Sequence, residues 1–260
     1  MRPDSFAARA ATYSDSVWHA QLAERFAAWL GLGAGMTVVD IGTGTGFAAL
    51  AVAGAAGTRV HGMDRSPAMI EVARERAGAA GRSGTVTFAV ADAHRLGLRD
   101  RCADAVLFVT SLHYMTPGPA LAEAARIVRP GGTVAVAALR TGALAPSALF
   151  RAVLAEHGVE VPDRMAATGS PGQLAARLAE AGLDRVQIGQ ETLRLGDGDL
   201  ADAWPANLTM AARRLADRTE AEVAALRERW EARVAAARAA DEEGFRGVTM
   251  LMARARRPDR

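Results

Sequence analysis

The chain of 260 residues contains no lysine, so all 31 of its basic residues are arginine. It has one cysteine, Cys102, which excludes an internal disulfide and a cysteine metal cluster. Aromatic residues make up only 5% of the chain, so alanine, valine and leucine must fill most of the core. No apolar stretch approaches membrane-span length without arginine, aspartate or glycine, and the first residues contain no apolar signal core.

In its hydrophobic content and length, the chain is typical of a globular protein. Half of the residues are hydrophobic, and a length of 260 suits one α/β domain with insertions. The formal net charge of +2 is weak evidence for a nucleic-acid partner. We therefore expect a cytoplasmic protein with no nucleic-acid partner and no membrane segment. The sequence carries no signal for its oligomeric state.

A glycine-rich turn follows a short β-branched segment in the first fifth of the chain. Residues 38–50 read VVDIGTGTGFAAL, in which Asp40 stands two residues before the alternating glycines Gly42, Gly44 and Gly46. A turn of this kind, between a strand and a helix, presents backbone N–H groups at the helix N-terminus and binds nucleotides.

The glycine spacing alone does not choose the nucleotide. Counted from Gly42, the dinucleotide pattern G-x-G-x-x-G/A fails at Phe47; counted from Gly44, it is satisfied through Ala49. Asp40 is the better discriminator, because a pyrophosphate against this turn would meet a like charge at close range. S-adenosylmethionine has no phosphate and carries an α-ammonium group, which Asp40 could help to hold directly or through water.

Short β-branched runs alternate with helical stretches, which predicts a parallel sheet covered by helices on both faces. The predicted strands are 36–41, 59–63, 86–91, 103–110, 133–139, 186–195 and 245–255, and the predicted helices are 45–56, 66–80, 119–128, 145–158 and 170–183. Residues 159–169 are predicted to be an irregular loop. Residues 200–240 are predicted to be helical, with interruptions at Pro205 and near Thr219.

The N-terminal stretch has the apolar spacing of one helical face, and glycines follow it, which is a signal that ends a helix. That face is formed by Trp18, Leu22, Phe26, Trp29 and Leu30.

Further segments continue the motif order of one family. HGMDRSPAMIEVARERA contains Asp64, AVADAHRLGL contains Asp92, and ADAVLFVTSLHYM and RIVRPGGTVAV follow at the next two strands. With VVDIGTGTG, this ordered set resembles the motifs of class I S-adenosylmethionine-dependent methyltransferases. The resemblance covers roughly residues 6–139 well, and 170–195 and the last strand more loosely.

The resemblance implies an α/β fold with a Rossmann-like, doubly wound, mostly parallel seven-stranded sheet whose last strand is antiparallel. It implies a single methyltransferase domain over residues 1–260. Residues 1–35 would form an N-terminal helical cap and residues 36–139 the cofactor-binding half. Residues 140–169 and 197–243 would be helical lid insertions over an acceptor pocket.

The resemblance also implies a set of residues that bind S-adenosyl-L-methionine. Asp64 would bind both ribose hydroxyls, Asp92 would accept the adenine amino group, and Thr110 would offer its backbone carbonyl to the ammonium. The remaining residues of the implied set are Tyr13, Asp40, Gly42, Gly44, Gly46, Met63 and Ala93.

His113 and Tyr114, which follow the fourth predicted strand, are candidates for catalysis. His113 could act as a general base, because the ordinary pKa of histidine is near neutrality. Family members often carry a similar sequence here without base catalysis, so lining of the pocket is the alternative role. No metal-ligand cluster is visible in the sequence.

The function implied is methyl transfer from S-adenosylmethionine to an oxygen, nitrogen or carbon atom of a small-molecule acceptor. A nucleic-acid methyltransferase is one alternative, although TSLHYM stands where a base-flipping motif of the Asn-Pro-Pro-Tyr type would be. A nicotinamide-dependent dehydrogenase, or a relative that keeps the cofactor without transferring its methyl group, is the other.

Overall fold

A computed structural model describes residue 10 and residues 16–259. Seven strands form one sheet in the order β3-β2-β1-β4-β5-β7-β6. The strands are β1 (Thr37–Ile41), β2 (Arg59–Asp64), β3 (Val86–Val90), β4 (Ala103–Val109), β5 (Val128–Leu139), β6 (Asp184–Arg194) and β7 (Gly247–Arg256). Strand β7 is antiparallel to both neighbours, and the pairs from β3 to β5 are parallel. The predicted fold class and the antiparallel last strand are confirmed.

Helices cover the sheet and extend beyond it. The helices of the described residues are α1 (Val17–Leu30), α2 (Phe47–Ala56), α3 (Pro67–Ala79), α4 (Pro117–Ile127), α5 (Ala145–Glu156), α6 (Pro171–Glu180), α7 (Asp197–Ala201), α8 (Ala203–Ala211), α9 (Glu220–Ala240) and α10 (Glu242–Arg246). Single 3-10 turns occupy Leu112–Tyr114 and Arg164–Ala167, the second of which lies in the predicted loop 159–169.

Local sequence signals explain where several helices begin. Ser66 caps α3 by accepting a hydrogen bond from the Met69 N–H, and Pro67 occupies the first helical position. Thr219 and Glu222 form a capping box at the start of α9, where the interruption near Thr219 was predicted.

The predicted interruption at Pro205 is wrong. The chain breaks at Asp202, between α7 and α8, and Pro205 lies in the first turn of α8. Proline is tolerated there because the first N–H groups of a helix have no partner within it. Strands β5 and β7 also differ in extent from the prediction: β5 begins at Val128 instead of 133, and the residues before Gly247 form α10.

Alternate residues of the strands pack into separate clusters on the two faces of the sheet. Val38 packs with α1, whose Trp18, Leu22 and Phe26 are buried as predicted, and Val39 packs with residues of α4 and α6. A third cluster joins α5, α8 and α9, and its aromatic members are Phe150, Trp204 and Trp230.

The strand order reverses between β1 and β4, so a crevice opens at their carboxyl ends, where α/β sheets bind ligands. Within the described part of the chain, no helix is both long and apolar enough to cross a lipid bilayer.

Candidate functional site

Two cavities lie at the carboxyl ends of the central strands. The smaller has a volume of about 100 Å³ and lies over the glycine turn between β1 and α2. The larger, of about 500 Å³, is lined by residues of α1, of the 140–169 segment and of α7 and α8. His19, Thr110 and Tyr114 line both cavities, so they mark the boundary between them.

The glycine turn uses its backbone N–H groups within the protein. The N–H groups of Gly42 and Thr43 donate to the carbonyl oxygen of Met63 at 2.7 and 3.0 Å. The N–H of Gly44 donates to Asp64 Oδ2 at 2.9 Å. Dinucleotide-binding turns hold a pyrophosphate with donors of this kind. In this protein the N–H groups of Gly42, Thr43 and Gly44 are already bonded to protein oxygens.

Asp40 is a buried carboxylate with one oxygen left over. It is 1% exposed, and its Oδ2 accepts a hydrogen bond from Thr43 Oγ1 at 2.7 Å. Its Oδ1 is buried and makes no hydrogen bond of normal geometry to any described residue, and the nearby Ala49 N–H lowers the pKa of the carboxyl. Burial raises the pKa of Asp40 to about 7, and the negative charge of Asp64 adds to the effect. A carboxylate in this state is stabilised by a cationic ligand group.

Asp64 ends β2 and holds the glycine turn. Its Oδ2 accepts from Gly44, and its Oδ1 accepts from the Ser66 N–H at 2.9 Å. Burial raises its pKa, against these hydrogen bonds, which lower it. Each carboxylate oxygen can accept a second hydrogen bond, so Asp64 can also bind two hydroxyls of a ligand.

Asp92 lies after β3, at the far end of the smaller cavity, and His94 holds it. Asp92 Oδ1 accepts from the His94 N–H at 2.9 Å and lies 2.7 Å from His94 Nδ1. His94 Nε2 accepts from the Thr116 N–H at 3.2 Å, so the ring proton is on Nδ1. The backbone bond from His94 lowers the pKa of Asp92. Sequence reasoning missed His94, although its position two residues after Asp92 is typical of an Asx turn.

The chain is strained where β4 ends. Thr110 has φ 51°, a left-handed conformation that β-branched residues rarely adopt. Its N–H donates to the Ala137 carbonyl at 2.8 Å, and Ser111 Oγ donates to the Ile41 carbonyl at 2.7 Å. A Cβ on Gly42 would lie 2.5 Å from Ser111 Cβ, so this approach of the two strand ends requires glycine.

The other predicted cofactor residues are placed differently. Met63 and Ala93 line the smaller cavity, but Gly46 does not. A Cβ on Gly46 would lie 3.0 Å from Phe88 Cζ and 3.3 Å from Ala73 Cβ, so this glycine serves packing. Tyr13 lies outside the described residues.

His113 and Tyr114, the two catalytic candidates, line the larger cavity with their ring centroids 4.0 Å apart. Burial, helped by the positive charge of Arg164, lowers the pKa of His113 to about 3. The ring is therefore neutral near pH 7, and a base with this pKa accepts a proton poorly. This favours the pocket-lining role.

The sequence pattern of the methyltransferase domain family matches residues 39–136, which span β1 to β5 and hold Asp40, Asp64, Asp92 and Thr110. This part of the chain is similar to the methyltransferase domain family. In residue 10 and residues 16–259, no group of three or more histidine, cysteine or acidic side chains could hold a metal ion.

The relatives that the chain matches are methyltransferases named for different acceptor atoms. The chain is 36% identical over 165 residues to the 27-O-demethylrifamycin SV methyltransferase of Amycolatopsis mediterranei, covering 63% of this chain and 60% of that one. It is 41% identical over 97 residues to a ubiquinone/menaquinone biosynthesis C-methyltransferase of Acidiphilium cryptum, covering 37% and 39%. The chain thus spans between two fifths and three fifths of the length of these relatives.

A solved structure has the same fold as this chain. It is the phosphoethanolamine N-methyltransferase 2 of Haemonchus contortus in complex with S-adenosyl-L-methionine, at 20% identity and a TM-score of 0.57. The likeness covers 92% of this chain and 52% of that one.

Proposed function

We propose that the protein transfers the methyl group of S-adenosylmethionine to a small-molecule acceptor. The observation that carries this proposal is the glycine turn with its buried acid. Asp40 Oδ1 makes no hydrogen bond of normal geometry to any described residue and suits the α-ammonium of the amino-acid part. The turn N–H groups that a pyrophosphate would need are already bonded, and two carboxylates stand where its charge would be.

Each end of the smaller cavity has a group that fits the cofactor. Asp40 and the Thr110 carbonyl would hold the ammonium, Asp64 the ribose hydroxyls, and Asp92, oriented by His94, the adenine amino group. S-adenosylmethionine supplies an electrophilic methyl group on a sulfonium. The protein would align the acceptor with that methyl and exclude water, as the boundary between the two cavities allows.

The larger cavity would hold the acceptor. Its volume of about 500 Å³ is in the range of ligand pockets. Apolar side chains such as Leu144, Phe150 and Met165 line much of it, which favours an apolar, ring-containing acceptor. We infer that residues 1–35 form a cap and that 140–169 and 197–243 form lid insertions of one domain, because α1, the 140–169 segment, α7 and α8 all line this cavity.

The alternatives receive less support. A nicotinamide dinucleotide would leave Asp40 facing a phosphate, and a formal net charge of only +2 gives little attraction for a nucleic-acid backbone. Cytoplasmic location remains a prediction.

The test is transfer of labelled methyl from S-adenosylmethionine to a panel of phenols, quinols, amines and thiols, followed by mass spectrometry. We expect a methylated product and S-adenosylhomocysteine in equal amounts from the wild type, and much less from Asp40→Asn. The surface variant Asp217→Asn is the matched control. Binding of S-adenosylmethionine without transfer to any acceptor would favour the non-methylating alternative.

A further inference from the structure

Two arginines line the larger cavity from the segment between β5 and α6. Arg151 lies on α5, and Arg164 begins the 3-10 turn Arg164–Ala167. Each has a sequence neighbour that is apolar and lines the same cavity, Phe150 beside Arg151 and Met165 beside Arg164. These four residues, which we call the arginine wall, offer apolar surface for a ring together with guanidinium groups.

Arg151 is paired only loosely within the described part of the chain. Its Nη2 lies 3.5 Å from Asp163 Oδ2, and it makes no hydrogen bond to any described residue. Charge-assisted N–H···O bonds are ordinarily about 2.7–2.9 Å long. Arg233 of α9, which is also paired with an acid of this region, shows the difference. It donates two hydrogen bonds to Glu156 of α5, at 2.9 and 2.7 Å.

The setting of Arg151 makes this loose pairing costly. Its side chain is only 23% exposed, and a charge withdrawn from water without close hydrogen-bonded partners is destabilising. Asp163 is held elsewhere, because its Oδ1 accepts from the Met165 N–H at 3.0 Å and caps the 3-10 turn. A guanidinium has five N–H donors in a planar fork, so Arg151 can bind an anionic group of a ligand.

Arg164 places a second positive charge near the boundary of the two cavities. Its Cζ lies 5.6 Å from the centroid of the Tyr114 ring, and Tyr114 lines both cavities. The 3-10 turns Leu112–Tyr114 and Arg164–Ala167 contact each other, and the charge of Arg164 helps to lower the pKa of His113. The positive charge of the arginine wall therefore acts inside the cavity, beside the place where the methyl group would be transferred.

Acidic side chains line the same cavity from the segment between β6 and α8. They are Asp199 and Asp202. Asp199 is fixed by two hydrogen bonds, from Ser16 Oγ to its Oδ1 at 2.6 Å and from the Gly196 N–H to its Oδ2 at 2.8 Å. An anionic group of a ligand would be repelled by these acids and attracted by the arginine wall. Because two arginines and two aspartates line the cavity, a ligand with one negative charge is favoured over one with two.

We propose that the arginine wall binds a carboxylate of the acceptor, and that the acceptor is therefore a ring-containing acid. Arg151 holds the carboxylate in its planar fork, and Arg164 adds a second positive charge. Phe150 and Met165 pack against the ring. The inference rests on the proposed methyl transfer to a small molecule, whose substrate class it narrows.

The first test compares two probes of the same shape, a hydroxynaphthoate and the corresponding hydroxynaphthamide, which differ in one charge. Each is titrated by calorimetry into the full chain, with and without S-adenosylhomocysteine. We expect the acid to bind the wild type at least about tenfold more tightly than the amide, because hydrogen bonds to a charged group are the stronger ones. Equal affinities, or no measurable binding of the acid, would overturn the proposal.

Variants of Arg151 test whether this side chain causes the preference. Arg151→Gln should remove most of it and leave the affinity for the amide nearly unchanged. Arg151→Lys should restore part of it, since lysine keeps the charge without the planar fork. The matched control is Arg233→Gln, which breaks an exposed ion pair with the same helix and should behave as the wild type. Equal losses for acid and amide in Arg151→Gln would show a purely structural role and overturn the proposal.

Asp163→Asn gives a result of the opposite sign, which a structural ion pair would not. Asparagine can still accept from the Met165 N–H, but the charge that competes for Arg151 is removed. We expect the variant to bind the acid about two- to fivefold more tightly than the wild type does, with the affinity for the amide unchanged. Unchanged or weaker binding of the acid would overturn the role of Arg151.

A naphthyl phosphate, which carries two charges, is the third probe. Tighter binding of this dianion than of the hydroxynaphthoate would overturn the assignment of a carboxylate. Failure of the proposed function would be seen separately, as a wild type that prefers the acid over the amide but does not bind S-adenosylhomocysteine.

Discussion

Replacing Asp40 with asparagine should stabilise the ligand-free protein and weaken its binding of the cofactor. The carboxylate is buried, and its pKa is raised from 3.8 to about 7 because burial disfavours the charged form. Asparagine has the same shape and no charge, and its oxygen can still accept from Thr43. The variant therefore removes the cost of a buried charge without opening a cavity.

The magnitude follows from the two pKa values. Their difference of about 3 corresponds to about 4 kcal/mol, since one pKa unit is about 1.4 kcal/mol. The sign is set by proton binding: between about pH 4 and pH 7 the folded protein binds a proton that the unfolded chain does not, so wild-type stability falls as pH rises. The hydrogen bond from Thr43 lowers the pKa and is already included in this difference, so the expected gain for the variant above pH 7 is about 4 kcal/mol.

The assay is thermal unfolding of the wild type, Asp40→Asn and the surface control Asp217→Asn over a series of pH values. A gain of about 4 kcal/mol corresponds to a rise in Tm of roughly 8–16 °C for a chain of this size. We expect the gain to be absent near pH 4, to grow toward pH 7 and to level off above it. A variant that melts below the wild type above pH 7, or a gain that does not change with pH, would refute the reasoning.

Four further predictions concern the two cavities and the segments around them. Asp64→Ala should weaken S-adenosylmethionine at least tenfold, since it removes a charged acceptor worth about 1.5–3 kcal/mol per bond; calorimetry showing wild-type affinity would contradict the ribose role. Because Asp64 also holds the N–H groups of Gly44 and Ser66, Asp64→Ala should lower the free energy of unfolding by about 1–3 kcal/mol, measured with urea. His113→Gln should lower turnover less than tenfold and leave the pH profile near neutrality unchanged, because its pKa of about 3 makes it a poor base; a larger loss would restore it as the base. Residues 1–20 and 159–169 should become protected from hydrogen exchange when S-adenosylhomocysteine binds, and unchanged exchange in both would count against a lid.

Features that are determined by residues close together in the sequence were predictable. The alternation of apolar strands and helices indicated the parallel sheet, and the order of the motifs placed Asp40, Asp64 and Asp92 at strand ends. Ser66 followed by Pro67 marked the start of α3, as the structure confirms. Pro205 misled because proline marks both a break and the first turn of a helix, and only the surrounding fold decides between them.

Features that depend on contacts distant in sequence were not predictable. Ser16 and Asp199 are 183 positions apart, and nothing near either residue indicates that they meet. The low pKa of His113 comes from burial and from Arg164, neither of which the local sequence shows. The bonds that occupy the N–H groups of the glycine turn come from Met63 and Asp64 on the next strand, so the turn's preference among nucleotides appears only in the folded protein.

Calorimetric titration of the wild type with S-adenosylmethionine, followed by NAD as a competitor, tests the central claim most directly. The claim is that Asp40 and the occupied turn select a cofactor with an ammonium over one with a pyrophosphate. We predict one S-adenosylmethionine per chain, an affinity that falls below about pH 7 as Asp40 is protonated, and no displacement by NAD. Binding of NAD in this cavity, with S-adenosylmethionine displaced, would contradict the account.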